Sequence, residues 1–303
     1  MKPALAVHGG AGAISKSQMT PDLEREYRGG IETALKAGWK VLDKGGSAID
    51  AVEAAVVELE NFPLFNAGRG AVFTHEGEQE MDACIMDGSR LKAGAVAFVK
   101  NVRNPISLAR LVMERTEHVL LAGEGAMEFA EVNDVAFEPD EYFFTEHRWL
   151  QLQEALAAGR IQLDHAAVKP KGTVGAVACD RNGHLAAATS TGGMTNKKYG
   201  RIGDTPLVGL GTYADDVVAV SGTGHGEYFM LGVTAFDVAA RMKYKALDLD
   251  AAARETIDRL TEIKGEGGII AVDADGRIAM PFNSEGMYRG LIADGEPVTD
   301  IYR

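Results

Sequence analysis

The sequence has 303 residues, of which 46% are hydrophobic and 25% charged, a composition typical of a globular protein with a sizeable core. Its formal net charge of −13, without any run rich in Lys or Arg, argues against a nucleic-acid partner, because phosphate binding needs a basic face. No apolar stretch has the length of a membrane span, and the N-terminal apolar run is too short for a signal peptide, so we expect a cytoplasmic protein without a membrane partner.

The first third of the chain predicts one strand, two amphipathic helices and then further strands. Residues 4–8 are an apolar strand that leads into a glycine turn. Thr20-Pro21 is typical of a helix start, and Ser47 is expected to cap the next helix, which ends at 61–63. Additional strands are expected at 71–74, 81–86 and 93–99.

The remainder of the chain predicts a layered protein. Residues 177–187 and 270–280 share a pattern of two apolar strands around an Asn-Gly or Asp-Gly turn. Strands that are buried on both faces belong in a sandwich with helices outside, so we expect a single α/β domain over 1–303 with largely antiparallel sheets. The polar segment 159–172 is expected to be a mobile connector. Helices are expected at 104–113, 123–132, 146–158, 227–243 and 249–263.

Gly172-Thr173 stands directly before the apolar run 174–179 and allows two interpretations. In the simpler one, a β-branched Thr begins a strand. In the other, the bond between the two residues is cleaved, so that Thr173 becomes an N-terminus whose α-amine activates its own hydroxyl as a nucleophile. The residues by themselves leave both open.

Three apolar strands end on glycines and polar side chains, at 8–10, 190–193 and 221–224, which suggests a common site. Exposed main-chain N–H groups at such turns can bind an oxyanion or a carboxylate. In the loop 200–204, Arg201 and Asp204 are either a surface ion pair or a clamp for the carboxylate and ammonium groups of an amino acid.

Other kinds of site are less well supported by the sequence. It contains no phosphate-loop or dinucleotide fingerprint and no nucleophile elbow around a Ser. Cys84 and Cys179 lie in apolar runs, where Cys usually behaves as a small hydrophobe, so neither a disulfide nor a thiolate metal site is expected. His225 is expected to be a turn residue rather than a catalytic base.

Seven segments, in order along nearly the whole chain, resemble the plant-type (type III) L-asparaginases, also called isoaspartyl peptidases. The resemblance implies an N-terminal nucleophile hydrolase with an αββα sandwich. It further implies autocatalytic cleavage into an α subunit, 1–172, and a β subunit, 173–303. It also implies a dimer of αβ heterodimers, (αβ)2, and no organic cofactor. The segments are H-G-G-A-G-A at 8–13, F-P-L-F-N-A-G-R-G at 62–70, M-D-A-C-I-M-D-G at 81–88, G-T-V-G-A-V-A at 172–178, A-T-S-T-G-G at 188–193, G-R-I-G-D-T-P at 200–206 and P-F-N-S-E-G-M-Y-R-G at 281–290.

The resemblance also implies a role for each matching residue of the site. Thr173 would be the nucleophile, and Thr191 would orient its amine. Thr223 and Gly224 would form the oxyanion hole. Substrate would be bound by Arg201 through its carboxylate and by Asp204 through its amine, in a pocket that includes Gly226 and Asn66.

A structural Na⁺ is a further implication of the resemblance. It would be held by main-chain oxygens of the loop that we call the carbonyl loop, residues 59–69. Its matching positions are Leu59, Glu60, Phe62, Phe65, Ala67 and Arg69. The sequence departs from several relatives at Thr212, Gly222 and His225.

The activity implied is hydrolysis of two small-molecule substrate types, β-aspartyl dipeptides and L-asparagine, the latter to L-aspartate and ammonia. One alternative is a glycosylasparaginase-like amidase, which shares the nucleophile but uses a secretory route. Another is an uncleaved amino-acid-binding module that uses Arg201 and Asp204 without catalysis.

Overall fold

The computed structural model describes residues 2–159 and 172–303, and two sheets form the frame of this part of the chain. The strands are β1 (Ala4–Gly12), β2 (Met81–Asp87), β3 (Lys92–Val99), β4 (Leu120–Ala122), β5 (Val174–Cys179), β6 (Leu185–Thr191), β7 (Thr212–Ala214), β8 (Val218–Gly224), β9 (Gly267–Asp273), β10 (Ile278–Ala279), β11 (Gly286–Ile292) and β12 (Val298–Tyr302). The α-helices are α1 (Pro21–Asp43), α2 (Ala48–Asn61), α3 (Pro105–Arg115), α4 (Gly123–Val132), α5 (Asp140–Phe143), α6 (Glu146–Ala157), α7 (Gly226–Gly232), α8 (Thr234–Lys245) and α9 (Leu249–Glu262).

The two sheets lie face to face, with helices on both outer faces. Eight strands form the first sheet in the order β12-β11-β1-β5-β6-β2-β3-β4, and four form the second in the order β10-β9-β8-β7. Helices α1, α2 and α3 bury their apolar sides on the first sheet, whereas α8 and α9 cover the second. A third apolar cluster, including Val177 and Ile270, lies between the sheets. The expected αββα sandwich is therefore confirmed.

The first two helices begin where the sequence predicts. Thr20 Oγ1 accepts a hydrogen bond of 3.2 Å from the N–H of Leu23, with Pro21 in the first turn. Ser47 Oγ accepts one of 3.3 Å from the N–H of Asp50. Each cap satisfies a main-chain donor that the helix leaves unpaired, so the boundary is fixed locally.

Two of the predicted elements are wrong. Residues 71–74 do not form a strand, and only Thr74 makes an isolated bridge, to Lys197. Side chains bind the hydrogen-bonding groups of this main chain instead. Asn66 Oδ1 accepts from the N–H of Val72 at 3.0 Å, and Gln79 Nε2 donates to the carbonyl oxygen of Ala71 at 2.6 Å.

The helix expected at 227–243 is also not continuous, because it breaks between α7 and α8. Val233 stands at the break in the left-handed region, with a φ of 49°. The β5–β6 and β9–β10 hairpins form as predicted. Most of the expected connector lies outside the described residues, and no helix within those residues is long and apolar enough to cross a membrane.

Candidate active site

The ends of three neighbouring strands place Thr173 beside Thr191. Strand β5 lies between β1 and β6, and Val174 faces Ser190 in the ladder, so the residue before β5 comes to lie next to the end of β6. Thr173 Oγ1 donates a hydrogen bond of 3.1 Å to Thr191 Oγ1, which also accepts one of 3.0 Å from the N–H of Gly193. The position of Thr191 Oγ1 is thus fixed by its own turn.

The main chain at Gly172 passes through a narrow gap between β1 and the end of β8. Gly172 has a φ of +131°, which side chains rarely allow, and a Cβ there would lie 2.8 Å from Gly10 Cα and 3.0 Å from Thr223 Oγ1. Thr223 Oγ1 also accepts a hydrogen bond of 3.3 Å from the N–H of Ala11. The Thr223 hydroxyl is therefore adjacent to the bond between Gly172 and Thr173.

Gly224 ends β8 at a place where two strands approach closely. It faces Gly267 of β9 and has a φ of +143°. A Cβ on Gly224 would lie 2.3 Å from the carbonyl oxygen of Glu266, so a side chain does not fit. Thr223 and Gly224 are thus held at the end of β8 by its pairing with β9.

Arg201 and Asp204 both point at Gly226, the first residue of α7. A Cβ on Gly226 would lie 2.7 Å from Arg201 Nη2 and 2.7 Å from Asp204 Oδ1, so the glycine leaves the space between these opposite charges open. Asp204 is only 7% exposed, and burial raises its pKa to about 6, although the charge of Arg201 acts in the opposite direction. A guanidinium and a carboxylate on either side of a small space suit the head group of an amino acid.

Glu227 is a site residue that the sequence did not identify. Its carboxylate holds the Arg201 guanidinium by two hydrogen bonds, from Nε to Oε1 at 2.9 Å and from Nη2 to Oε2 at 3.0 Å. Although burial acts to raise the pKa of Glu227, the hydrogen bonds and charge of Arg201 lower it. The only signal in the sequence was an acid in the first turn of a helix, which the helix dipole explains equally well.

His225 precedes α7 and adds a third member to this group. Its Nε2 lies 3.4 Å from Glu227 Oε2, and its ring makes an edge contact with Tyr228 at 4.6 Å between centroids. Burial lowers the pKa of His225, while Glu227 acts to raise it. His225 is the residue at the helix N-cap, as a turn residue would be, and it contacts the carboxylate that orients Arg201.

Asn66 links the carbonyl loop to the turn after Thr191. Its Nδ2 donates a hydrogen bond of 2.8 Å to the carbonyl oxygen of Gly193. Its main-chain carbonyl oxygen accepts one of 3.2 Å from the N–H of Gly192. Since Asn66 Oδ1 is also occupied by the main chain at Val72, the side chain holds the turn that carries Thr191.

The carbonyl loop turns several main-chain oxygens inwards. A Cβ on Gly68 would lie 2.5 Å from the carbonyl oxygen of Glu60, and a Cβ on Gly70 would lie 2.0 Å from that of Phe65 and 2.6 Å from that of Pro63. These glycines thus make a cradle lined with oxygens, the hard ligands that alkali and alkaline-earth cations prefer.

The expected oxygens of the carbonyl loop differ in what they already bind. Three of them accept a main-chain hydrogen bond, those of Leu59, Phe62 and Ala67, which leaves each one further lone pair. The fully buried Arg148 also binds the loop, donating to the carbonyl oxygens of Gly70 at 2.8 Å and Leu64 at 3.3 Å. In residues 2–159 and 172–303, no group of three or more His, Cys, Asp or Glu could hold a metal ion.

Comparison with known proteins identifies the family of the chain. A family model described as asparaginase matches residues 1–300. The chain is 52% identical to an isoaspartyl peptidase of Salmonella typhimurium, over 100% of this chain and 99% of that protein, and 50% identical to an isoaspartyl peptidase of Escherichia coli, over 100% and 97%. It is 43% identical to a plant-type L-asparaginase of Pyrococcus abyssi, over 96% and 97%. On these matches over nearly its whole length, the chain belongs to the asparaginase family.

Proposed function

We propose that this protein is an enzyme that hydrolyses β-aspartyl dipeptides and L-asparagine with Thr173 as its nucleophile. The observation that carries the proposal is the hydrogen bond between the hydroxyls of Thr173 and Thr191, at a Gly172-Thr173 junction that also contacts the Thr223 hydroxyl. The names of the relatives, isoaspartyl peptidase and plant-type L-asparaginase, favour this activity over the two alternatives.

Maturation would expose the nucleophile. The Thr173 hydroxyl attacks the carbonyl carbon of Gly172 and forms an ester bond to it. The peptide bond breaks, and the hydroxyl proton passes to the departing nitrogen, which becomes the α-amine of Thr173. Water then hydrolyses the resulting ester and leaves subunits 1–172 and 173–303. The tight passage at Gly172 supports this step, because it confines the main chain at the scissile bond between Gly10 and the Thr223 hydroxyl.

Turnover uses the same hydroxyl with the new amine as its base. The α-amine of Thr173 takes the proton as the hydroxyl attacks the side-chain carbonyl of the substrate, and Thr223 with Gly224 stabilises the oxyanion. Ammonia, or the second amino acid of a dipeptide, leaves with the proton. Water then releases L-aspartate from the acyl-enzyme. Thr191, whose hydroxyl lies 3.1 Å from that of Thr173, orients the amine.

Arg201 and Asp204 select the aspartyl head group. The guanidinium binds the α-carboxylate and the carboxylate binds the α-ammonium, with Gly226 leaving room for the Cα between them. Asn66 supports this pocket by holding the Thr191 turn. Glu227 fixes the direction of the guanidinium, so that its remaining donors face the substrate.

Two further features belong to the proposal. The carbonyl loop holds a structural Na⁺ through the main-chain oxygens of Leu59, Glu60, Phe62, Phe65, Ala67 and Arg69, where the ion fixes the loop that carries Asn66. The mature protein assembles as (αβ)2. The cytoplasmic location expected from the sequence stays a prediction.

Mass spectrometry and an activity assay test the proposal together. Purified protein should contain fragments 1–172 and 173–303 and should release L-aspartate from L-asparagine and from β-aspartyl-leucine. Thr173→Ala should abolish both cleavage and turnover, whereas Thr256→Val, which alters a buried Thr on α9, should leave both intact. An intact chain that turns over asparagine would contradict the mechanism. Faster turnover of glycosyl-asparagine would favour the amidase, and aspartate binding without ammonia release would favour the binding module.

A further inference from the structure

A second row of polar residues lies beneath the proposed catalytic residues. In the first sheet, His8 faces Gly175, Gly175 faces Thr189, and Thr189 faces Cys84, across β1, β5, β6 and β2. Residues directly opposite one another in a sheet present their side chains on the same face. We call these four residues the lower row, because Thr173 and Thr191 lie two residues further towards the strand ends on that face.

Hydroxyls from the second sheet meet the lower row. Ser221 of β8 faces Thr212 of β7, and both reach across to the first sheet. Ser221 Oγ lies 2.7 Å from Thr189 Oγ1 and 2.9 Å from His8 Nε2, and Thr212 Oγ1 donates to Thr189 Oγ1 at 2.7 Å. All four side chains are fully buried, so these hydrogen bonds cross the interior between the two sheets.

The glycine of the lower row makes this crossing possible. A Cβ on Gly175 would lie 2.0 Å from Ser221 Oγ and 2.5 Å from His8 Nε2. The Ser221 hydroxyl therefore rests over β5 itself, two residues after Thr173. On its own strand, Ser221 stands two residues before Thr223, whose hydroxyl meets the Gly172-Thr173 junction.

His8 contributes a neutral ring to this arrangement. Burial lowers its pKa to about 3, against an opposing interaction with the main chain of Thr173. Its Nδ1 has no hydrogen-bond partner among the described residues. An imidazole with one nitrogen on Ser221 and its ring over Gly175 connects the second sheet to the strand that begins after Thr173.

We propose that His8, Thr189 and Ser221 are positioning residues, which fix β8 against β5 and thereby hold the Thr223 hydroxyl in place relative to Thr173. The inference rests on the proposed function. None of the three would touch the substrate. Buried hydrogen-bonded groups add little net stability over apolar groups of the same shape, so hydroxyls at these positions are better explained by geometry than by stability.

An isosteric pair of variants tests the proposal. Thr189→Val removes one hydroxyl of the lower row, and Thr256→Val removes a buried hydroxyl that donates 3.1 Å to Asp237 Oδ2 on the far side of the second sheet. Both should lower Tm by a similar small amount. Since a misplacement of about 1 Å can cost about 100-fold in rate, Thr189→Val should lower kcat for L-asparagine about 10- to 100-fold, with KM within about twofold of wild type. Thr256→Val should leave kcat unchanged.

The rate is expressed per mole of 173–303 fragment, so that slow maturation is not mistaken for slow turnover. A folded Thr189→Val protein that fails to mature would support the proposal, because cleavage uses the same hydroxyl. Normal maturation with kcat within about twofold of wild type would overturn it, as would a Tm loss well beyond that of the control. A wild-type protein that neither matures nor releases aspartate would refute the proposed function itself.

His8 gives a second, independent comparison. His8→Gln keeps a polar group that can meet Ser221, whereas His8→Leu does not. We expect the Gln variant to retain most of kcat and the Leu variant to lose about tenfold or more, at equal KM. Equal kcat in the two variants would show that the contact with Ser221 has no positioning role.

Discussion

Gly175→Ala should disturb both catalysis and stability, because the structure has no room for the added methyl group. Its Cβ would stand 2.0 Å from Ser221 Oγ, whereas ordinary contact begins at 3.4 Å, so about 1.4 Å of movement is required. The His8 ring and the carbonyl oxygen of Ala188, at 2.5 and 2.9 Å, restrict movement to either side. Either Ser221 turns away or β8 moves from β5, and the second route carries Thr223 with it.

The magnitude follows from these distances. Overpacking a buried site costs about 1–3 kcal/mol, which lowers Tm by about 2–5 °C in a protein of this size. A displacement of β8 near 1 Å would lower kcat about 100-fold. Differential scanning calorimetry and initial rates on matured protein measure the two effects.

A second substitution separates the two causes. Gly175→Ala combined with Ser221→Gly removes the closest contact, and it should recover part of the lost Tm but little of the lost rate, because the hydrogen bonds from Ser221 to His8 and Thr189 are then absent. Wild-type Tm and kcat in the single Gly175→Ala variant would refute the reasoning.

Three further predictions concern the head-group clamp and the carbonyl loop. Arg201→Lys keeps the charge but loses the two-pronged hydrogen bonding, so KM for L-asparagine should rise about 10- to 100-fold with a smaller change in kcat, measured by steady-state kinetics. The pKa of Asp204 near 6 means that its carboxyl becomes protonated as the pH falls, so affinity for L-aspartate, measured by calorimetry from pH 5 to 8, should decline below pH 6 by up to about tenfold per pH unit. Replacing NaCl with choline chloride at equal ionic strength should lower Tm, by the equivalent of about 2.7 kcal/mol if Na⁺ had been present at 100 times its Kd.

Each of these predictions has its own control. An unchanged KM in Arg201→Lys would place the substrate carboxylate elsewhere. Asp204→Asn should bind L-aspartate weakly at every pH, without the decline below pH 6, and persistence of that decline would assign it to another group. The Tm of the protein should be the same in the two salts only if the carbonyl loop holds no Na⁺.

Several features could be predicted from the sequence because their causes are local. Thr20 and Ser47 each cap a helix by accepting a hydrogen bond from the N–H three residues later. The hairpin turn between β5 and β6 likewise lies directly between the strands that it joins. The glycine at 172 and the paired hydroxyl and glycine residues at the strand ends indicate the candidate site, and the motifs around them identify the family. In each case the information lies within a few consecutive residues.

The errors at 71–74 and at Val233 have a different origin. The apolar run at 71–74 has the composition of a strand, but the side chains of Asn66 and Gln79 bind main-chain groups that a neighbouring strand would otherwise pair. At Val233, a β-branched residue adopts a left-handed conformation, which propensity argues against. Directly after Val233, the N–H groups of Ala235 and Phe236 donate to the carbonyl oxygens of Leu210 and Gly209, so contacts beyond the helix outweigh the local preference there.

The pairing of charged and polar groups at the site was decided only by the tertiary structure. Glu227 meets Arg201 across 26 residues of chain, and His8 meets Ser221 across 213. Such contacts depend on the register of each strand and on how one sheet faces the other, and no local pattern records either. The sequence by itself determined which residue is the candidate nucleophile, whereas the packing of two sheets around Gly175 decided what surrounds it.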